Sequence, residues 1–332
     1  MKNILYLSLF IFCSCSTSDN RILVTNTGET QGTYYHIKYL SPKGNSFKAQ
    51  LDSLLTEIDS SVSIYKPYSI ISRLNAGEQL ITDEIFNLVY FDAVHVGVNS
   101  GGYFDCTVSP LVNHWGFYNK GDNKAYVDSS LVKKIMRNIG MHKTSWADST
   151  VVLEKGVRLD FNAVAQGTSV DLIGEFLETK GISNYLVEVG GEVKASGRNA
   201  DNNIWRIGID KPSVEIDVNN RFQFILDLEN KALATSGNYR KFYEKEGVKY
   251  SHTINPKTGF PAQNRLLSVT VIADECSLAD AYATAFMGMG VKKTKQLVQQ
   301  LDDELEVYLV FTDKDGEWKT YISPAMVERI IN

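Results

Sequence analysis

The reading turns on the stretch Ser277-Leu278-Ala279-Asp280-Ala281-Tyr282-Ala283-Thr284-Ala285-Phe286-Met287-Gly288-Met289-Gly290. Its small and apolar residues read as one packed helix, closed by glycines suited to the left-handed turn after a helix end. Ser277 stands where an N-cap hydroxyl would accept from a first-turn N–H. Asp280 and Thr284 are four residues apart, so they lie one above the other on one helix face. A carboxylate in so apolar a helix needs a partner, because an unpaired buried charge is costly. Spacing alone favours an arginine or a neighbouring loop as that partner; a cation is the alternative.

Around this stretch the 332-residue chain is 43% hydrophobic and 22% charged, the composition of a globular protein with a sizeable core. A formal net charge of -5 supplies no basic footprint and argues against a nucleic-acid partner. Residues 1–15 read as a lipoprotein signal peptide. Lys2 is followed by an apolar run over 4–12, too short to span a bilayer comfortably. The run ends in Cys13-Ser14-Cys15, and Cys15 is the better lipid acceptor because small Ser14 precedes it whereas bulky Phe12 precedes Cys13. An ordinary cleaved secretory signal is the alternative. Cutting before Cys15 leaves Cys106 and Cys276, which permit a disulfide but give no framework. Residues 16–28 read as a polar tether and residues 29–332 as a single domain.

Residues 32–40 alternate and are rich in aromatic and β-branched types, predicting a strand. Helical spacing of apolar residues covers 47–62. Ser69 caps a short helix to residue 75, and Asp83 a longer one to residue 99, stopped by Gly101-Gly102. Helices are expected over 130–138 and 292–301, and a strand–turn–helix over 157–180. Strands are expected at 144–153, 184–189, 192–196, 205–209, 222–228, 248–254, 266–273 and 305–311. Strands and helices in mixed order predict an α+β fold, mixed sheets with packed helices.

No Gly-x-Gly-x-x-Gly, Walker-type or Gly-x-Ser-x-Gly sequence occurs, and the histidines lack close zinc spacings. His252, at a strand end before the Pro256–Gly259 turn, suits a general base or phosphate contact as well as a structural role. Tyr103-Phe104-Asp105-Cys106 fits a packed surface loop or the wall of a flat-ring site.

Several segments stand out together: Gly32-Thr33-Tyr34, Ser63-Ile64-Tyr65-Lys66-Pro67 with Ser69, Arg73-Leu74-Asn75, Phe104-Asp105-Cys106-Thr107-Val108-Ser109-Pro110 and Trp115-Gly116-Phe117. Asp160 to Asp171, Val189-Gly190-Gly191, Ala234 to Arg240, the His252 segment, Ser268 to Val271 and Ala279-Asp280-Ala281 complete the set. Taken together they resemble one family, the FAD:protein FMN transferases of the ApbE group. The resemblance implies an ApbE-like, T-fold-related architecture. It also implies cleavage of the FAD pyrophosphate with Mg²⁺, FMN passing to a threonine or serine of a target flavoprotein as AMP leaves. Mg²⁺ takes oxygen ligands, commonly one or two carboxylates. The resemblance assigns Asp280, Thr284 and the Ala163 carbonyl to it. Flavin and adenine contacts fall to Gln31, Tyr65, Tyr103, Phe104, Asp105, Asp160, Gln166 and Ile254, and the base to His252. Gln31 replaces a frequent methionine, Gln166 a frequent lysine, and Asn162 a commoner small residue.

By the same resemblance the acceptor is expected to be a subunit of a membrane-bound redox complex. The lipid anchor on Cys15 would hold the chain to a bacterial membrane, the inner one favoured, facing the periplasm. Competing readings are an FAD pyrophosphatase and a non-catalytic flavin-binding lipoprotein.

Overall fold

A computed structural model of the chain describes residues 21–117, 129–211, 221–238, 242–245, 248–251, 253–301 and 304–331. The chain opens with the hairpin β1 (Ile22–Thr30) and β2 (Thr33–Ser41), then helices α1 (Lys48–Val62), α2 (Ile70–Asn75), α3 (Glu84–Asn99), α4 (Ser109–His114) and α5 (Ser129–Ile135). A small hairpin, β3 (Thr144–Ala147) and β4 (Thr150–Leu153), precedes α6 (Ala165–Thr179). Strands β5 (Tyr185–Val189), β6 (Glu192–Ser196), β7 (Trp205–Asp210), β8 (Phe222–Leu228), β9 (Lys231–Gly237), β10 (Phe242–Lys245), β11 (Val248–Ser251) and β12 (Leu266–Ala273) follow. The chain ends with α7 (Cys276–Met289), α8 (Val291–Gln300), β13 (Glu306–Thr312), β14 (Trp318–Ile322), α9 (Pro324–Val327) and β15 (Ile330–Ile331).

Eight strands form one sheet in the order β1-β2-β5-β6-β9-β12-β13-β14, and every neighbouring pair is antiparallel. The α+β expectation holds. Both faces of the middle of this sheet are covered. Val269, Val271 and Ala273 of β12 pack with Ala279, Ala283 and Phe286 of α7, whereas Ile272 and Tyr308 pack against Trp205, Leu226 and Leu228 of the smaller β15-β8-β7 sheet. Burial on both sides leaves every residue of β12 except Leu267 buried, Ser268 and Thr270 included.

Ser69 Oγ accepts from Ser72 N at 3.1 Å, and Asp83 Oδ1 from Phe86 N at 2.8 Å, so both expected caps form. The expected glycine stops carry positive φ, +62° at Gly101 and +75° at Gly290. Other expectations fail for identifiable reasons. Residues 22–28, read as tether, are the edge strand β1, paired along its length with β2. A backbone ladder holds them, and polar side chains on an edge strand carry little pattern. β9, Lys-Ala-Leu-Ala-Thr-Ser-Gly, lies in mid-sheet with no β-branched run to mark it; its small Ala232 and Ala234 are buried, and the strand packs against α7. β10 and β14 were likewise unmarked. Residues 157–160 are not a strand. Asn75 brackets them instead, donating to Leu159 O at 2.8 Å and accepting from Leu159 N at 2.7 Å. Cys106 and Cys276 are buried free thiols. No helix among the described residues is long and apolar enough to cross a membrane.

Candidate active site

Two helices from distant parts of the chain, α6 and α7, make the floor of the site. They cross at Gly167, where a β-carbon would lie 2.4 Å from the Cys276 carbonyl oxygen. Only glycine permits that approach. One turn along the same face of α6, buried Asp171 accepts from Cys276 N at 2.9 Å and Ser277 N at 2.8 Å. Asp171 therefore caps α7. The expected N-cap, Ser277, sits inside the helix, and residue Glu275 at the cap position makes no side-chain cap. A carboxylate suits the positive end of a helix. Lys194 of β6 ties the corner together, donating to Asp171 at 2.9 Å and to Glu275 at 2.6 Å. Burial works against its charge, but the two acids outweigh burial and raise its pKa.

The crossing brings Asp280 to α6. The N–H of Gly167, which in a regular helix would return to the carbonyl four residues back, donates to Asp280 Oδ2 at 3.3 Å. Among the described residues no backbone N–H donates to that carbonyl, which belongs to Ala163. Asp280 is 7% exposed, and burial pushes its pKa up to about 7 against the Gly167 hydrogen bond. Thr284 lies one turn further, its hydroxyl 3.5 Å from Ser236 of β9. A buried carboxylate, a hydroxyl and a carbonyl without a backbone donor are the hard oxygen donors that Mg²⁺ takes, so these residues fit such an ion. No cluster of three His, Cys, Asp or Glu able to hold a metal occurs among the described residues.

Above this floor opens a cleft of about 520 Å³ lined by Tyr103, Phe104, Asp105, Asp160, Ala163, Gln166, Ile254, Asp280 and Thr284. Nine expected residues thus share one cavity. Gln31 and Tyr65 line a neighbouring cavity of about 400 Å³, which meets the first at Asn162, Gln166 and Gly190. His252 and Cys15 lie outside the described residues.

The individual side chains refine their expected parts. The Tyr103 ring has the Lys257 ammonium 4.8 Å from its centroid, and the Lys293 ammonium bonds its hydroxyl. It is a ring held by cations more than an open stacking platform. Phe104, 3% exposed, belongs to the core beneath. Tyr65, 67% exposed, is the accessible ring. The Asp105 carboxyl is raised in pKa by burial, against hydrogen bonds from the Thr107 hydroxyl and N–H. Gln166 packs over Gly190, whose φ is +67° and whose missing β-carbon would meet Gln166 Nε2 at 2.7 Å. Glu192 also lines the cleft, and neither its place there nor the capping role of Asp171 is legible in a local motif. The only available signals were the glycine pair before Glu192 and the four-residue step from Gly167 to Asp171.

The fold and site define a class: an antiparallel α+β protein whose central helix pair offers oxygen donors to a cleft of about 520 Å³. The chain belongs to the ApbE family, whose model matches residues 31–309. It is 32% identical over 324 residues to the FAD:protein FMN transferase of Vibrio cholerae, covering 95% of each chain. It is 31% identical over 309 residues to that of Escherichia coli K12, covering 90% of this chain and 86% of the other. The flavin transferase ApbE of Vibrio cholerae superposes with a TM-score of 0.83 at 32% identity, over 93% of this chain and 99% of that one. The apo flavinyl transferase ApbE of Pseudomonas stutzeri gives 0.84 at 30% identity, over 93% and 97%.

Proposed function

We propose that this chain is an FAD:protein FMN transferase acting with Mg²⁺. The observation that carries the reading is the oxygen set at the α6–α7 crossing, Asp280, Thr284 and the Ala163 carbonyl, opening into a cleft of dinucleotide scale. In the reaction the bond between the FMN phosphorus and the bridging pyrophosphate oxygen breaks, and AMP leaves with that oxygen. A new bond forms from the same phosphorus to the acceptor's serine or threonine oxygen, whose proton passes to a base. The ion, when bound, would offset negative charge developing on the phosphoryl and bridging oxygens. Asp280, Thr284 and Ala163 would hold it. Asp105, Asp160 and Gln166 supply hydrogen-bond partners for ring and ribose groups, and His252 is the proposed base. Cys15 as a lipid anchor, an envelope location facing the periplasm and a redox-complex subunit as acceptor belong to the same reading.

The test uses the chain without residues 1–15, FAD, Mg²⁺ and a candidate acceptor protein. Covalent flavin fluorescence on the acceptor, lost with EDTA and in Asp280→Ala, is the expected result. Free FMN and AMP with no labelling would replace the transferase reading with a pyrophosphatase. FAD left intact throughout would remove both.

A further inference from the structure

Asn162 lines both cavities, at the neck where they meet. Its Nδ2 donates to the Tyr65 hydroxyl at 3.3 Å, and its own N–H donates to Asp160 Oδ1 at 2.9 Å. Asp160, Asn162 and Tyr65 thus form a hydrogen-bonded chain that crosses the neck from the larger cavity to the smaller. Tyr65 lies on the loop between α1 and α2, and the residue is 67% exposed. So exposed a ring is held in one rotamer by few contacts, and a bond at its hydroxyl is the one able to fix its swing about two side-chain torsions.

We propose that Asn162 is a positioning residue for the dinucleotide: it holds the Tyr65 ring at the neck as the face on which a planar ring of FAD stacks. The inference rests on the FAD reading above. A smaller side chain at position 162 could not reach the Tyr65 hydroxyl, which Asn162 Nδ2 bonds at 3.3 Å. With the tether in place the ring is ordered before the ligand arrives, and that ordering is not charged against binding. Asp160 fixes the backbone that carries the tether, so a ligand group bonding Asp160 and a ring stacking on Tyr65 are set in register.

The experiment is a double-mutant cycle on equilibrium binding with no acceptor present. Wild type, Asn162→Ala, Tyr65→Phe and the double variant are titrated with FAD, FMN and AMP in EDTA, which prevents turnover. Removing the tether is expected to weaken FAD binding about two- to tenfold, the scale of ordering one side chain. Tyr65→Phe keeps the ring but loses the tether, so it should cost a similar factor. Asn162→Ala should then add nothing in that background, and non-additivity is the signature of the pair. Whichever of FMN or AMP shows the same loss identifies the ring on Tyr65. Melting temperatures should stay together, since Asn162 is exposed. Losses that simply multiply, or an Asn162→Ala variant binding FAD as well as wild type, would overturn the inference and leave the FAD reading standing. A wild-type chain that binds no FAD either in EDTA or with Mg²⁺ present would overturn both.

Discussion

Asp280→Asn should make the metal-free protein more stable while abolishing its response to Mg²⁺. The carboxyl is 7% exposed, and burial raises its pKa from 3.8 to about 7. The folded state therefore holds a proton that the unfolded chain has released. Between about pH 4 and pH 7 the native state binds more protons than the unfolded state, so this group makes stability fall as pH rises, levelling off above pH 7. Near three pH units at 1.36 kcal/mol each, the charge costs at most about 4 kcal/mol at pH 8. Asparagine keeps the acceptor for the Gly167 N–H and carries no charge. In EDTA at pH 8 its melting temperature should exceed that of wild type by several degrees, at about 2 °C per kcal/mol. At pH 4 the gap should nearly close. Added Mg²⁺ should lift wild type alone, by about 2.7 kcal/mol at a hundred times the dissociation constant. Scanning calorimetry at the two pH values, with and without Mg²⁺, reads all four quantities. A variant no more stable than wild type at pH 8 in EDTA would mean that the protein satisfies the charge by itself. Asp280 would then need no cation.

Other outcomes follow from the same contacts. Asp171→Ala leaves two α7 N–H groups and the Lys194 ammonium without their buried acceptor, and should cost about 3 kcal/mol or more in denaturant unfolding; a loss below about 1 kcal/mol would show that α7 is held elsewhere. Gln166→Lys places an ammonium at the junction of the two cavities and should tighten FAD binding several-fold at low salt, the gain shrinking as ionic strength rises. A salt-independent change would rule out a phosphate contact. His252→Gly should bind FAD normally yet transfer FMN to the acceptor at least a hundredfold more slowly, and undiminished transfer would remove His252 as the base.

The sequence carries some parts of this molecule openly and hides others. Caps made by a residue on its own helix, Ser69 and Asp83, were readable because donor and acceptor are three residues apart. The cap of α7 was not, since its acceptor Asp171 comes from more than a hundred residues away. Strand β12 is marked in the sequence by its β-branched run Val269-Thr270-Val271-Ile272, whereas β1 and β9 are strands because their neighbours supply a ladder. The site residues were reached through the resemblance, and nine of them converge on one cleft. What no spacing could supply was their environment: that Tyr103 is engaged by two lysines, or that Asn162 bridges to Tyr65.

The glycines near the site show where close approach matters. Small residues along α7 suggest that this helix must make room for its neighbours. Yet a β-carbon on Gly288 would meet only Tyr103 atoms at 3.6 Å and 3.7 Å, ordinary contact that a methyl group tolerates. The position that admits no side chain is Gly167, on the other helix. That glycine brings the Asp280 carboxylate to the first turn of α6, where an N–H is diverted to it and the Ala163 carbonyl is left without a backbone donor. Substituting Gly167 would separate the helices and return the two oxygens to separate elements. The cation site is thus a property of the crossing as much as of the residues that line it. Asp280, Thr284 and Gly288 follow one face of α7 at four-residue steps of about 6 Å each. A ligand with its charged centre at Asp280 can therefore place a ring near Tyr103 while staying on that one face.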